Sequence, residues 1–336
     1  DQKFGLQLYV NRVLIKDPAD ELLPEWLRFM KGVVDSPDLS LNVSREILQQ
    51  DRRLGSIRKR IVKKTTETLA KIQKENREKY ATFWTHFGRV LKEGSADLEH
   101  SDKVAPLLLF QSSNDDTALT SLAEYVERMG DAQDDIFYMT GESRTAVEAS
   151  PHLEAFREKG IEVLYLTDPV DEIMVNHLNE FDGKSLKSAG KGVVDLGSED
   201  EKQQAEDERK AKSDTHASLL EFIGKTLEEH IKEVRLSARL TSSAACLVGE
   251  ENDISPGLEK ILAASGQGLE KQKRILEINP KHAILTRMQA IFDEEQAEQS
   301  IEDYAHLLHG QALIAEGSPL PDPAGFSRRL SELMVR

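Results

Sequence analysis

The side chains that could do chemistry are few and widely spaced. Nine histidines are spread over 336 residues, and only His306 and His309 stand at helical neighbour spacing. Asp303 lies one turn before His306, but without further Asp, Glu or Cys in a ligand pattern a surface pair explains it as well as a metal does. Cys246 is the single cysteine. It sits in an apolar, strand-like stretch, which favours an inert buried thiol over a nucleophile and leaves no internal disulfide or cysteine-based metal site to form. There is no GxSxG elbow and no HExxH pair. Gly183 and Gly190 are too far apart for a phosphate loop, and Gly192 follows Lys191 where Ser or Thr is needed. The stretch from Gly183 to Gly192 therefore reads as a flexible hinge.

The most informative segment is GVVDSPDLSLNVSREILQQ, residues 32–50. It reads as a Pro/Asp/Ser-rich loop turning into a helix, with Asn42, Arg45 and Gln49 near the junction. Arg45 and Gln49 are four apart and share a helix face. Spacing alone favours the first of two readings. Arg45 could pair with a nearby acid while Asn42 or Ser44 caps the helix, or it could serve a catalytic site.

The elements that would position these residues follow from periodicity. Leu6, Leu8 and Val10 alternate with polar positions, as in a half-buried strand. A helix is expected to start near Pro24 and carry Trp26, Leu27 and Met30. Leu54, Ile57, Ile61, Leu69 and Ile72 keep helical spacing, and Tyr80, Phe83, Trp84, Phe87 and Leu91 mark a second helix. Residues 45–93 thus form a small helical unit. From about 100 to 184, apolar runs at 107–110, 136–139 and 161–166 alternate with helical stretches, one opened by a Ser121/Glu124 capping box. That order predicts a parallel sheet covered by helices. Residues 198–214 carry almost nothing apolar and read as a solvated linker or exposed helix. Beyond it, expected elements are a helix from about His216, strands at 234–240, 244–248 and 275–278, a helix around Leu258, and three C-terminal helices. The expected class is α/β followed by α+β. Residues 1–190 form a first domain with α/β layers and the helical unit between them, 191–214 a charged linker, and 215–336 a second, mixed domain ending in helices.

Composition narrows the function classes. The formal net charge of -16 argues against nucleic acid as a partner, because phosphate neutralisation needs surplus cations. Only Arg58 to Lys64 is densely basic. No apolar run approaches the roughly 20 residues of a membrane span, so no membrane partner is expected. The chain opens on Asp1 and runs at once into a strand, without an initiator Met or signal peptide, and is expected to be the middle of a longer cytoplasmic protein.

The segment LPEWLRFMKGVVDSPDLSLNVSREILQQ, residues 23–50, closely resembles the middle domain of the 90-kDa heat-shock chaperones. The resemblance continues through TFWTHFGRVLKEG (82–94), SPHLEAFREKGIEVLYLTDPVDEIMVNHLNEFDGK (150–184), VRLSARL (234–240), ILEINPKH (275–282) and QALIAEGSPLPDP (311–323). It covers nearly the whole chain in order. It implies that the SRE loop is catalytic, with Arg45 contacting the γ-phosphate of ATP held by a separate N-terminal domain and Asn42 and Gln49 supporting the loop. None of the motifs of that ATP-binding domain occurs here. No cofactor is therefore expected in this chain by itself, which should be inactive alone; ATP and Mg belong to the full-length protein.

The same resemblance implies two surfaces for non-native client proteins. One contains Glu172, Ile173 and Asn176, with Ile173 where the family often has tryptophan. The other contains Ile254, Leu258, Ile261 and Leu262, where family members often place methionines. Read from the residues alone, the first could equally be ordinary helix packing, and the second reads first as a core-facing amphipathic helix. Two amphipathic C-terminal helices, with Tyr304, Leu307, Leu308, Leu313, Phe326, Leu330 and Leu333, would form a four-helix bundle in a homodimer. Cochaperones are possible further partners, and the absence of an acidic tail points to the bacterial type. A nonenzymatic dimeric scaffold for protein interactions is the alternative.

Overall fold

The computed structural model describes residues 5–39, 52–194, 196–266, 272–294 and 298–335. The architecture is α/β followed by α+β. Contacts divide the chain into two compact units: Asp1–Phe110 with Leu119–Glu124 and Ile173–Asp182, and the remainder.

The first unit begins with strands β1 (Gly5–Val10), β2 (Val13–Lys16) and β3 (Lys31–Asp35), ordered β2-β1-β3. The alternation in β1 does what its period requires, burying Leu6, Leu8 and Val10. β2 is antiparallel to β1, whereas β3 is parallel to it, with Leu8 opposite Val34. Two expectations fail here. The helix expected from Pro24 is a single 3-10 turn, Glu25–Leu27, and the start of the expected 32–50 loop is β3. Gly32 takes φ 154°, a conformation that favours glycine. The Val-Val pair after it supplies strand propensity that the following Pro and Asp residues mask.

The helical unit consists of α1 (Arg52–Glu75) and α2 (Arg77–Lys92). α1 buries Leu54, Val62, Thr66 and Leu69 on one stripe. Asn76 caps α2, its side chain accepting from the Lys79 amide at 3.0 Å. The buried Tyr80 hydroxyl donates to the Leu107 carbonyl at 2.6 Å. Phe29 stacks on Phe87 with ring centres 4.9 Å apart and meets Phe83 edge-on. The Trp26 indole N–H donates to Asp97 Oδ2 at 2.9 Å, and His100 Nδ1 meets the same oxygen at 2.9 Å. Burial pushes the Asp97 carboxyl up, but these hydrogen bonds outweigh it and hold the group below its usual range.

Short helix α3 (Ser101–Val104) leads to β4 (Leu109–Ser112), β5 (Asp115–Ser121), α4 (Leu122–Arg128), β6 (Asp135–Thr140), α5 (Arg144–Glu148), α6 (Glu154–Lys159), β7 (Leu164–Leu166), α7 (Pro169–Met174), β8 (Glu180–Phe181) and β9 (Lys184–Ser188). The capping box at α4 is present: Glu124 accepts from the Ser121 amide at 2.7 Å. In the second unit β4, β7, β6 and β9 are adjacent in that order. β6 is parallel to β7 and β9, but β4 is antiparallel to β7, so the sheet is mixed where a parallel one was expected. The expected hinge at 183–192 is also corrected. Asp182 and Gly183 both take positive φ, 51° and 72°, which makes a two-residue turn, and β9 follows at once.

The expected linker forms α8 (Glu199–Thr215), a capped helix with no buried residue. Then come α9 (Ala217–Thr226), β10 (Ile231–Leu236), β11 (Ala245–Val248), α10 (Pro256–Ala264), β12 (Arg274–Ile278), α11 (Ala283–Phe292), α12 (Glu298–Glu316) and α13 (Pro323–Val335). The sheet order is β10-β12-β11, with β12 parallel to β10 and antiparallel to β11. All five residues of β12 are buried. α9, α11 and α12 supply Leu220, Ile223, Met288, Ile301 and Leu308 to the core over this sheet.

A Cβ at Gly94 would lie 2.8 Å from the Trp26 ring and 2.9 Å from Val104. Gly94→Ala is expected to destabilise the first unit by about 1–3 kcal/mol through overpacking, measured by urea unfolding followed through tryptophan fluorescence.

Candidate functional site

The two sequence segments that carry much of the C-terminal resemblance, VRLSARL and ILEINPKH, meet in one buried cluster. Glu277 on β12 is almost fully buried, as is Arg239 just beyond β10. Arg239 Nε donates to Glu277 Oε2 at 3.0 Å, and Arg235 Nη2 donates to Oε1 at 2.7 Å. The Ser237 hydroxyl donates to Oε2 at 2.7 Å. Arg239 also donates to the carbonyls of Ala189 and Gly192, each at 2.5 Å. Burial drives the Glu277 carboxyl up, yet the two guanidiniums win and keep it ionised below its usual range. Arg239 therefore ties the segment after β9 to the β10-β12 pair through the carboxylate it shares with Arg235.

A second anchor ties α6 to the loop that follows β10. Glu154, at the start of α6, accepts from the backbone N–H groups of Thr241, Ser242 and Ser243 at 2.7, 2.8 and 3.0 Å. The hydroxyls of Ser242 and Ser243 also donate to it, at 2.8 and 2.5 Å. Successive N–H groups converging on one carboxylate make an anion nest. Burial opposes the charge, but these donors lower the carboxyl to about 2.

Of the residues expected to act, Asn42, Arg45 and Gln49 lie outside the described residues. Glu172 is buried and accepts from the Ser255 hydroxyl at 2.5 Å. That serine is also the N-cap of α10, accepting from the Leu258 amide at 3.1 Å. Glu172 thus belongs to the support of α10. Ile173 and Asn176 are exposed, Ile173 at 45%. Ile254, Leu258, Ile261 and Leu262 are all half-buried, and α10 as a whole contains no buried residue.

The seven candidate interface residues divide by helix. On α12, Leu307, Leu308 and Leu313 are buried within the chain itself, and Tyr304 packs against the same core. On α13, Phe326 and Leu333 are half-buried and Leu330 is 41% exposed. Arg329 pairs with Asp303 at 3.5 Å. His306 has a neighbour that spacing does not anticipate: His230 lies 6.5 Å from it and stacks on His309 at 5.5 Å. Cys246 is buried, and burial pushes its thiol well above the usual value. Among the described residues no helix is long and apolar enough to cross a membrane.

Sequence reasoning does not single out Glu154 and Glu277, because their partners are remote along the chain. The signal available is the presence of acids and arginines inside otherwise apolar segments, which implies pairing.

These features define an α/β and α+β protein whose segments are joined by buried carboxylates. The profile of the Hsp90 protein family matches residues 1–336, and the chain belongs to that family. It is 52% identical to the chaperone protein HtpG of Nocardia farcinica over 344 residues, covering 100% of this chain and 53% of that protein. The chaperone proteins HtpG of Frankia casuarinae and Mycobacterium tuberculosis are each 50% identical, again over 100% of this chain and 52% of theirs. The chain spans about half the length of these curated relatives.

The Glu154 carboxyl lies near 2 in the fold against an ordinary 4.5. Its contribution to stability is therefore present above about pH 4.5 and is lost as the pH falls towards 2. Glu154→Gln is expected to lower stability at pH 7 by on the order of 2 kcal/mol and to flatten this acid limb. Urea unfolding between pH 7 and pH 3 measures both effects.

Proposed function

We propose that this chain is the client-holding and dimerising part of an ATP-driven chaperone. The observation that carries the proposal is a pair of amphipathic helices that the chain covers only in part. α10 has no buried residue, and α13 buries only Gly325 among its described residues. Met334 and Leu330 stand 80% and 41% exposed. Apolar faces left open in this way suit partners that cover them. Membership in the Hsp90 family, and relatives named as chaperones, point the same way.

In this reading α12 and α13 pair with their copies in a second subunit. α12 has its buried side on its own core, and α13 supplies Phe326, Leu330 and Leu333. Non-native clients are held by Ile254, Leu258, Ile261 and Leu262, and by a second surface that carries Ile173 and Asn176. ATP and magnesium are bound by a separate domain of the whole protein, and Arg45 reaches the γ-phosphate from this chain, with Asn42 and Gln49 supporting its loop. A guanidinium suits that role because it stays charged and offers several donors. The setting is the cytoplasm, with cochaperones as further partners.

The chain is expected to sediment as a dimer, and the double variant Leu330→Glu/Leu333→Glu as a monomer with unchanged far-UV circular dichroism. Monomers in both cases would remove the bundle. In the full-length protein, Arg45→Ala is expected to reduce ATP turnover by about 10³-fold or more while leaving the dimer intact. Undiminished turnover would favour the nonenzymatic scaffold instead.

A further inference from the structure

The second unit holds a cavity of about 700 Å³, to whose wall the end of α12 contributes Ile314, Ala315 and Glu316. It opens beyond Thr140, Leu166 and Ser188, the last residues of β6, β7 and β9. These three strands are parallel, and the crevice outside the carboxyl ends of parallel strands is where α/β sheets take ligands. The size falls in the range of small-molecule pockets. Val147, Leu247, Ile261 and Ile314 give it apolar walls.

The charged groups around it are already matched. Arg274 donates to Glu259 at 2.9 Å and lies 3.3 Å from Glu316. Lys191 donates to the Asp253 carbonyl at 2.6 Å, and Glu172 accepts from Ser255. An entering ion would have to break one of these pairs, so the cavity favours a neutral guest. Among the described lining residues one polar atom is left over. His152 lines the cavity, is buried, and its Nδ1 has no hydrogen-bond partner. Burial, with Arg239 nearby, lowers its pKa to about 3, so the ring is neutral at physiological pH. Its nitrogens can then donate or accept according to tautomer.

Two exposed lining residues meet at the cavity's edge. Lys260 on α10 reaches Glu142 at 2.7 Å and the Gly317 carbonyl at 3.2 Å. The Lys260 side chain is half-exposed and that of Glu142 largely solvated, so the bridge is weak.

We propose that this cavity binds a neutral, mainly apolar small molecule with one hydrogen-bonding group, anchored by His152 and gated by the Lys260–Glu142 bridge. The site is distinct from the client surface, although Ile261 borders both.

Nile red, which is neutral, largely apolar and carries a ring carbonyl, serves as the probe. Titrated into the whole chain and followed by emission, it is expected to saturate at one dye per chain. Ala315→Trp places an indole at the exposed rim of the cavity and is expected to abolish the saturable phase. His152→Phe removes the polar anchor and is expected to weaken binding by about tenfold. Lys260→Met is expected to speed both entry and exit in stopped-flow mixing. Circular dichroism and thermal midpoints verify the fold of each variant. Absence of a saturable phase in the parent chain, or its survival in folded Ala315→Trp, overturns the site. Unchanged affinity in folded His152→Phe overturns the anchor, and unchanged rates in Lys260→Met overturn the gate. Suppression of aggregation of a chemically unfolded protein is read in parallel. Its retention in Ala315→Trp supports a separate ligand site, and its loss together with dye binding overturns that separation.

Discussion

The second unit depends on a carboxylate kept charged where charge is costly. Glu277 lies in the middle strand of the β10-β12-β11 sheet, with all of β12 buried around it. An isolated carboxylate there would be neutralised or would unfold its surroundings. Two guanidiniums and a hydroxyl meet it instead, and Arg239 uses its remaining donors on the carbonyls at 189 and 192. Removing one partner from such a set costs far more than the set contributes when intact. The group therefore specifies how the segments meet as much as it stabilises them.

Glu154 follows a different design for the same end. Its charge is met mainly by neutral donors, three amides and two hydroxyls from consecutive residues. Holding three successive N–H groups on one carboxylate fixes the loop at 241–243 without a counter-charge. The two anchors join α6, β9, β10 and β12, which explains why contacts group these elements in one unit although the solvated helix α8 separates them in sequence.

Much of the fold is legible in the sequence because its long helices have an unambiguous period. α1, α2, α9 and α12 stand out by their apolar stripes, and α4 by its capping box. Strand direction is not legible, since a run such as Leu109–Ser112 has the same pattern whether parallel or antiparallel to β7. β5 and β9 escape notice for another reason: DDTALTS and KSLKS are too polar to stand out from loops. β3 is hidden by the turn-forming residues that follow it. At the candidate site, α10 is legible as an amphipathic helix, but Glu172, expected on an exposed surface, supports the cap of α10. No periodicity links residues 83 positions apart.

The solvated helix α8 has a consequence for how this sequence can drift. A residue in β12 answers to two neighbouring strands and a core, and each substitution there must satisfy all of them. Most residues of α8 answer to water and to partners one turn away, such as Lys210 with Glu206 at 2.7 Å, and only the face with Lys202 and Arg209 turns toward Ala155 and Ala238. Nearly any polar residue of good helix propensity meets that requirement. The stretch from Glu199 to Thr215 can therefore exchange most of its letters while keeping its length and stiffness. Its inheritance is a dimension, about 1.5 Å for each residue, more than a sequence.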